Sequence, residues 1–176
     1  MSPNQPIEAP EKSRSVVAIL VMIAVVVFLC AVGMCLVSIP NFLKFGARSK
    51  AAECKQVLKQ LYVAQKAREG GYATDFEALK FTAEPGMNRY AYIVAPGQLV
   101  EPTQEQAQKR GLVEAMPASV RQALGLHDGE ITMACVGNID GDPGVDVWTI
   151  STKERVLGGE TIPAGQPHHD VDDLDD

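Results

Sequence analysis

The chain starts polar, changes at Val16, and then runs apolar and uncharged to Ile39 (VVAILVMIAVVVFLCAVGMCLVSI). About 24 helical residues at roughly 1.5 Å each reach about 36 Å, enough to cross the hydrocarbon core of a bilayer with some tilt. Past Pro40 the period changes but the helical pattern does not stop. Cys54, Val57, Leu58, Leu61, Ala64 and Gln65 fall on one side, and Lys55, Lys59 and Lys66 lie largely off it. The pattern predicts one long helix, half suited to lipid and half to water, ended at Gly70-Gly71 by a left-handed cap. The aqueous half exposes an apolar stripe that the remainder of the chain must cover.

That remainder reads as short strands between turns. Thr74 or Asp75 can cap a helical turn that points Phe76, Leu79 and Phe81 inward. Residues 89–94 (RYAYIV), 130–136 (EITMACV) and 145–151 (VDVWTIS) have strand character, and 155–157 offers a short fourth strand. In 145–151, Val145, Val147 and Thr149 alternate with Asp146, Trp148 and Ile150. Residues 103–110 and 117–124 resemble short helices, the second with Pro at its first turn and Gly125 at its end. The predicted fold class is α+β: a long N-terminal helix packed against a small antiparallel sheet of three to four strands. The expected divisions are a disordered arm (1–15), a transmembrane helix (16–39), an amphipathic stem (40–69), a globular head (70–165) and a solvated acidic tail (166–176).

Charge sharpens this picture. The formal net charge is −6, but residues 40–69 carry seven Lys/Arg against two Asp/Glu, while the head and tail are acidic. An acidic head argues against nucleic acid as a partner. The basic stem can touch anionic lipid headgroups, but a solvated helix face is the simpler reading. The apolar run is longer than the core of a secretory signal and has no small-x-small cleavage site, so it reads as retained. Leu29 and Met34, which precede Cys30 and Cys35, are too large for a lipoprotein signal.

The segment IPNFLKFGARSKAAECKQVLKQLYVAQKA that follows the apolar run, with GGYATDFEAL and GNIDGDPGVDVWTI further on, resembles the type IV pilin family and the pseudopilins of type II secretion. The resemblance implies a subunit with a cytoplasmic N-terminus, a bacterial inner-membrane anchor and a periplasmic head. It also implies partnership with other pilins or with pilus or secretion assembly proteins. Two departures stand out. Anchored on Pro40, the family's processing Gly and the Glu inside the apolar run fall on Ala18 and Ile23. Together they imply an unprocessed, permanently anchored relative with a structural or regulatory role. The alternatives are a free-standing periplasmic binding or sensing module on the same fold, and a conventional filament subunit with an unrecognised processing site. One signal opposes the periplasmic head: more basic residues follow the span closely (Lys44, Arg48, Lys50, Lys55) than precede it (Lys12, Arg14).

Candidate chemistry is sparse, and no catalytic motif is present, so no enzymatic activity is expected. Cys30 and Cys35 read as apolar packing residues, whereas Cys54 and Cys135 either pair or remain two buried thiols. In the loop GNIDGDPG and the strand after it, Asn138, Asp140, Asp142 and Asp146 place oxygen side chains at i, i+2, i+4 and i+8, a spacing that can converge on Ca²⁺. The competing reading is a turn in which Asn and Asp bond their own backbone. His168-His169 beside Asp170, Asp172 and Asp173 can hold a divalent metal weakly, but a solvated acidic tail is the simpler reading.

Overall fold

The computed structural model describes residues 11–105, 107, 108, 110–139 and 143–173. Residues 1–10 of the expected arm, Asp140 and Asp142 of the calcium loop, and the end of the tail lie outside the described residues. The chain divides into two compact units, 1–43 and 44–176. In chain order the elements are α1 (Glu11–Lys66), β1 (Ala91–Ala95), β2 (Gln98–Val100), α2 (Leu112–Ala115), α3 (Ala118–Ala123), β3 (Gly125–His127), β4 (Glu130–Gly137), β5 (Asp146–Ser151), β6 (Arg155–Leu157), β7 (Glu160–Ile162) and β8 (His168–Val171).

The first unit holds the apolar part of α1. The helix begins at Glu11, so residues 11–15 are not part of a disordered arm. No Pro or Gly interrupts EKSRS, so nothing in its sequence breaks the helix there. Val16–Met34 has a mean hydropathy of 3.2 and none of it is buried, so this segment is long and apolar enough to cross a membrane. The backbone remains helical through Pro40.

In the second unit α1 buries Ala51, Cys54, Leu58, Leu61 and Gln65, the side that its periodicity marks. The helix stops at Lys66, and Gly70 and Gly71 follow with φ of 91° and 103°, a left-handed turn that glycine adopts without steric cost. Asp75 accepts the backbone N–H of Ala78 (2.7 Å) and holds the next turn, which buries Leu79 and half-buries Phe76 and Phe81. Gln65 bonds both backbone groups of Ala73: its amide donates to the carbonyl (2.7 Å) and its oxygen accepts the N–H (2.8 Å). This side chain supplies for Ala73 what a neighbouring strand would supply in a sheet.

The sheet is larger than its sequence suggests. Six antiparallel strands form it, in the order β2-β1-β4-β5-β8 with β3 also pairing with β4. The expected fourth strand, 155–157, pairs instead with β7 in a separate two-stranded sheet. Three of the additional pairings follow two-residue turns with positive φ: Gly97 between β1 and β2, Asp128-Gly129 between β3 and β4, and Gly158-Gly159 between β6 and β7. Residues 168–171 are not a solvated tail. They form β8, which pairs with β5.

Both sheet faces are covered. Tyr90, Tyr92, Val94, Ile131, Met133, Cys135, Trp148 and Ile150 pack with α1. The alternate positions Ala91, Ile93, Ala134, Val136, Val145 and Val147 pack with Leu112, Met116, Val120 and Leu124 from the α2–α3 segment. Each fully buried Leu or Ile contributes about 1.5–3 kcal/mol by leaving water, so Leu58, Leu61, Ile131 and Ile150, all fully buried, are principal contributors. Helix α3 follows Pro117 as the sequence suggests, but the described residues of 103–110 are not helical. The N–H groups of Thr103 and Gln104 both donate to the Asn88 carbonyl (3.0 and 2.9 Å), which draws this segment into a loop bonded to the turn before β1.

Candidate functional site

Tyr90 and Tyr92 are two positions apart, so the alternation of an extended chain sends both rings to the α1 side of the sheet. Each hydroxyl ends on a carboxylate. Tyr92 donates to Glu53 Oε1 (2.9 Å), which also accepts the backbone N–H of Arg89 (2.8 Å). Arg89 Nη1 approaches Glu53 Oε2 at 3.3 Å. Glu53 thus ties α1 to the start of β1. Burial, reinforced by the Glu53 charge, pushes the Tyr92 hydroxyl well above the usual tyrosine range.

Tyr90 donates to Asp146 Oδ2 (2.6 Å), as does Trp148 Nε1 (2.8 Å). His169 Nε2 donates to Asp146 Oδ1 (2.6 Å). Asp146 is fully buried, and these three donors satisfy both of its oxygens. Burial, and then the Asp146 charge, push the Tyr90 hydroxyl far above its ordinary value. Gly137 faces Asp146 across the β4–β5 ladder, and a Cβ there would lie 2.8 Å from the Tyr90 ring. The glycine is needed for the tyrosine to reach its carboxylate.

The Trp148 and His169 rings, paired across β5 and β8, stack with centroids 3.9 Å apart and planes 10° from parallel. The Lys55 ammonium lies 4.3 Å from the Trp148 ring centre, a cation–π contact from α1. Beside this group Cys54 and Cys135 are joined in a disulfide between α1 and β4, with Cα atoms 6.0 Å apart. Cys135 is the register partner of both Tyr92 and Trp148. On the other side of β8, Asp170 accepts the Thr149 hydroxyl (2.7 Å), and Arg155 donates to the same hydroxyl oxygen (2.8 Å). Burial raises the Asp170 carboxyl above the usual carboxylate range.

Of the four expected calcium ligands, Asn138 and Asp146 are among the described residues. Asn138 Nδ2 donates to Gln108 Oε1 (3.2 Å), and Asp140 and Asp142 lie outside the described residues. Asp146 departs from the expected set. Its strand position, in phase with Trp148 and Ile150, turns it into the helix–sheet interface, where it already has three donors. The loop is tied by other groups. The N–H of Ile139 donates to Asp173 (3.2 Å), its carbonyl accepts the Lys50 ammonium, and its side chain is buried. Glu53, Tyr90 and Tyr92 carry no role in the sequence reading. Only the Tyr-x-Tyr spacing of 89–94 signals that two hydroxyls share a face.

Chemically, Glu53 and Asp146 are carboxylates engaged by donors, an arrangement suited to fixing strands and helix. Among the described residues Asp146, His169 and Asp172 bring ligand atoms within 4.8 Å of one another.

The model of the family "Type IV pilin PilA" matches residues 45–115, from the aqueous part of α1 to the end of α2. The type IV major pilin protein PilA of Myxococcus xanthus (strain DK1622) is 37% identical over 84 residues. That match covers 46% of this chain and 36% of the length of the relative. Together with the apolar N-terminal helix and antiparallel sheet, these matches support a type IV pilin-like family.

Proposed function

We propose that this type IV pilin-like chain is a membrane-anchored structural or regulatory protein that works with a type IV pilus or type II secretion machine. The observation that carries the reading is the pairing of two features on one helix. Val16–Met34 is apolar and uncovered, as a segment meant for lipid or for neighbouring apolar helices is, and the same helix continues as a stem whose other apolar stripe is covered by a sheet. A protein that turned over a substrate would need a reactive group left available. The buried carboxylates here are engaged by fixed donors, which favours a structural role.

In this reading the N-terminus is cytoplasmic, the helix crosses the inner membrane and the head is periplasmic, where a Cys54–Cys135 disulfide is chemically at home. Ala18 and Ile23, where the family has its processing Gly and its Glu, make the chain an unprocessed member of the machine. Its apolar helix would contact other pilins within the bilayer. Two experiments test this. Pull-down from detergent-solubilised membranes should recover pilins or assembly-platform proteins; recovery of none refutes the partnership. Mass spectrometry of the extracted protein should find residues 1–15 attached, and a product starting near Ile19 would show a conventional, processed subunit.

A further inference from the structure

We propose that His169 and Asp172 form a binding site for a divalent transition-metal ion of the Zn²⁺ class, with Asp146 as the carboxylate that orients the histidine. The argument begins with Asp146. An ionised carboxylate only accepts hydrogen bonds, so the 2.6 Å contact requires the proton to be on His169 Nε2. In the neutral ring the lone pair is then on Nδ1. Carboxylate to one imidazole nitrogen and metal to the other is the usual support for a metal-ligating histidine, because it fixes both tautomer and ring orientation. The stack on Trp148 restrains the ring further.

Distances separate the ligands from the support. Nδ1 of His169 and Oδ2 of Asp172 are 3.7 Å apart, long for a hydrogen bond. Two ligand atoms each about 2.1 Å from a tetrahedral zinc lie about 3.4 Å apart, so a small side-chain adjustment seats one ion between these two. The 2.6 Å between Asp146 and Nε2 is too short for two ligands of one ion, and both Asp146 oxygens have other donors, so Asp146 stays outside the coordination sphere. The nitrogen donor sets the metal class. Ca²⁺ and Mg²⁺ take oxygen ligands, whereas imidazole suits Zn²⁺, Cu²⁺ and Ni²⁺. The site is reachable from solvent, with the His169 side chain 26% and the Asp172 side chain 39% exposed. Water would complete the coordination. His168 is paired with Thr149 on the other face of β8 and takes no part.

The test uses the full-length chain in detergent micelles with Zn²⁺ alone as the probe, followed by calorimetry and by ¹⁵N resonances of the histidine rings. Zinc should shift His169 Nδ1. His169→Gln and Asp172→Asn should each weaken binding at least tenfold, while His168→Gln should change it less than twofold. The melting temperature of Asp172→Asn is measured beside its affinity, and a tenfold loss of affinity in a protein that melts as the wild type does cannot be put down to unfolding. Asp146→Asn should weaken binding by about 10–100-fold, as expected for a supporting carboxylate. Wild-type affinity in His169→Gln or Asp172→Asn, a shift at Nε2 instead of Nδ1, or no binding up to millimolar zinc would each overturn the proposal.

Discussion

Replacing Asp146 by Ala should destabilise the second unit by about 3–5 kcal/mol, the range for removing one partner from a buried charged network. The structure shows where this comes from. Asp146 accepts from Tyr90 and Trp148 in the interior and from His169 at its edge. Bonds to a charged acceptor contribute about 1.5–3 kcal/mol each, and truncation leaves the Tyr90 hydroxyl and the indole N–H buried without that acceptor. Relief of the cost of burying the carboxylate offsets part of the loss. The pairwise share is separable by combining Asp146→Ala with Tyr90→Phe, since the doubly substituted protein strands one donor fewer. The expected coupling between the two positions is about 1.5–3 kcal/mol. Trp148 is the single tryptophan, so its fluorescence follows urea unfolding of this region without interference, and circular dichroism supplies a second probe of the midpoint. A coupling below about 0.5 kcal/mol, within the scatter of independent sites, would refute the claim that Tyr90 and Asp146 act as a unit.

Gln65→Ala should cost about 2–4 kcal/mol, because the N–H and C=O of Ala73 both lose their partner in a buried place; thermal unfolding reads it, and a loss under 1 kcal/mol would mean water replaces the amide. Replacing Cys54 and Cys135 together by Ala removes a crosslink closing a loop of separation 81, worth about 4 kcal/mol in the chain-entropy model, and should lower the denaturation midpoint as reduction of the wild type does. Tyr90 and Tyr92 hold their protons more tightly folded than unfolded, so above about pH 10 the unfolded chain ionises first and stability falls by up to about 1.4 kcal/mol per pH unit per tyrosine; Tyr90→Phe with Tyr92→Phe should flatten that alkaline slope. If Asn138, Asp140 and Asp142 hold Ca²⁺, millimolar calcium should raise the melting temperature, EDTA should reverse it and Asp140→Ala with Asp142→Ala should abolish it; an unchanged wild-type value leaves the loop as a turn.

The α+β class was legible because the two periods are distinct. The stripe from Cys54 to Gln65 has helical spacing, and RYAYIV, EITMACV and VDVWTIS alternate as strands do. The extra strands were less legible because three or four residues carry too little pattern. What marks them is their turns: Pro96-Gly97, Asp128-Gly129 and Gly158-Gly159 reverse the chain, and each therefore implies a strand on both sides. Residues 168–171 read as solvent-exposed from their charge alone. They enter the sheet because His169 finds a ring to stack on and Asp170 finds the Thr149 hydroxyl, partners about 20 residues away that no local pattern encodes. Asp146 illustrates the same limit. Its spacing from Asp140 and Asp142 suggests a loop ligand, but strand phase decides its direction, and the three donors that receive it come from three separate segments.

The Cys54–Cys135 bond also has a mechanical consequence. Tension applied through the stem helix toward the C-terminal part of the chain need not travel along the intervening backbone. It can cross from Cys54 directly to Cys135, on a strand hydrogen-bonded to β1 on one side and to β5 on the other. The residues between the two cysteines, including Tyr92 and the α2–α3 segment, then lie in a covalently closed bypass that carries no load. Pulling would strain the stem up to Cys54 and the strands after Cys135, while the bypass, which includes the last turns of the helix, could be extended only after the disulfide is reduced.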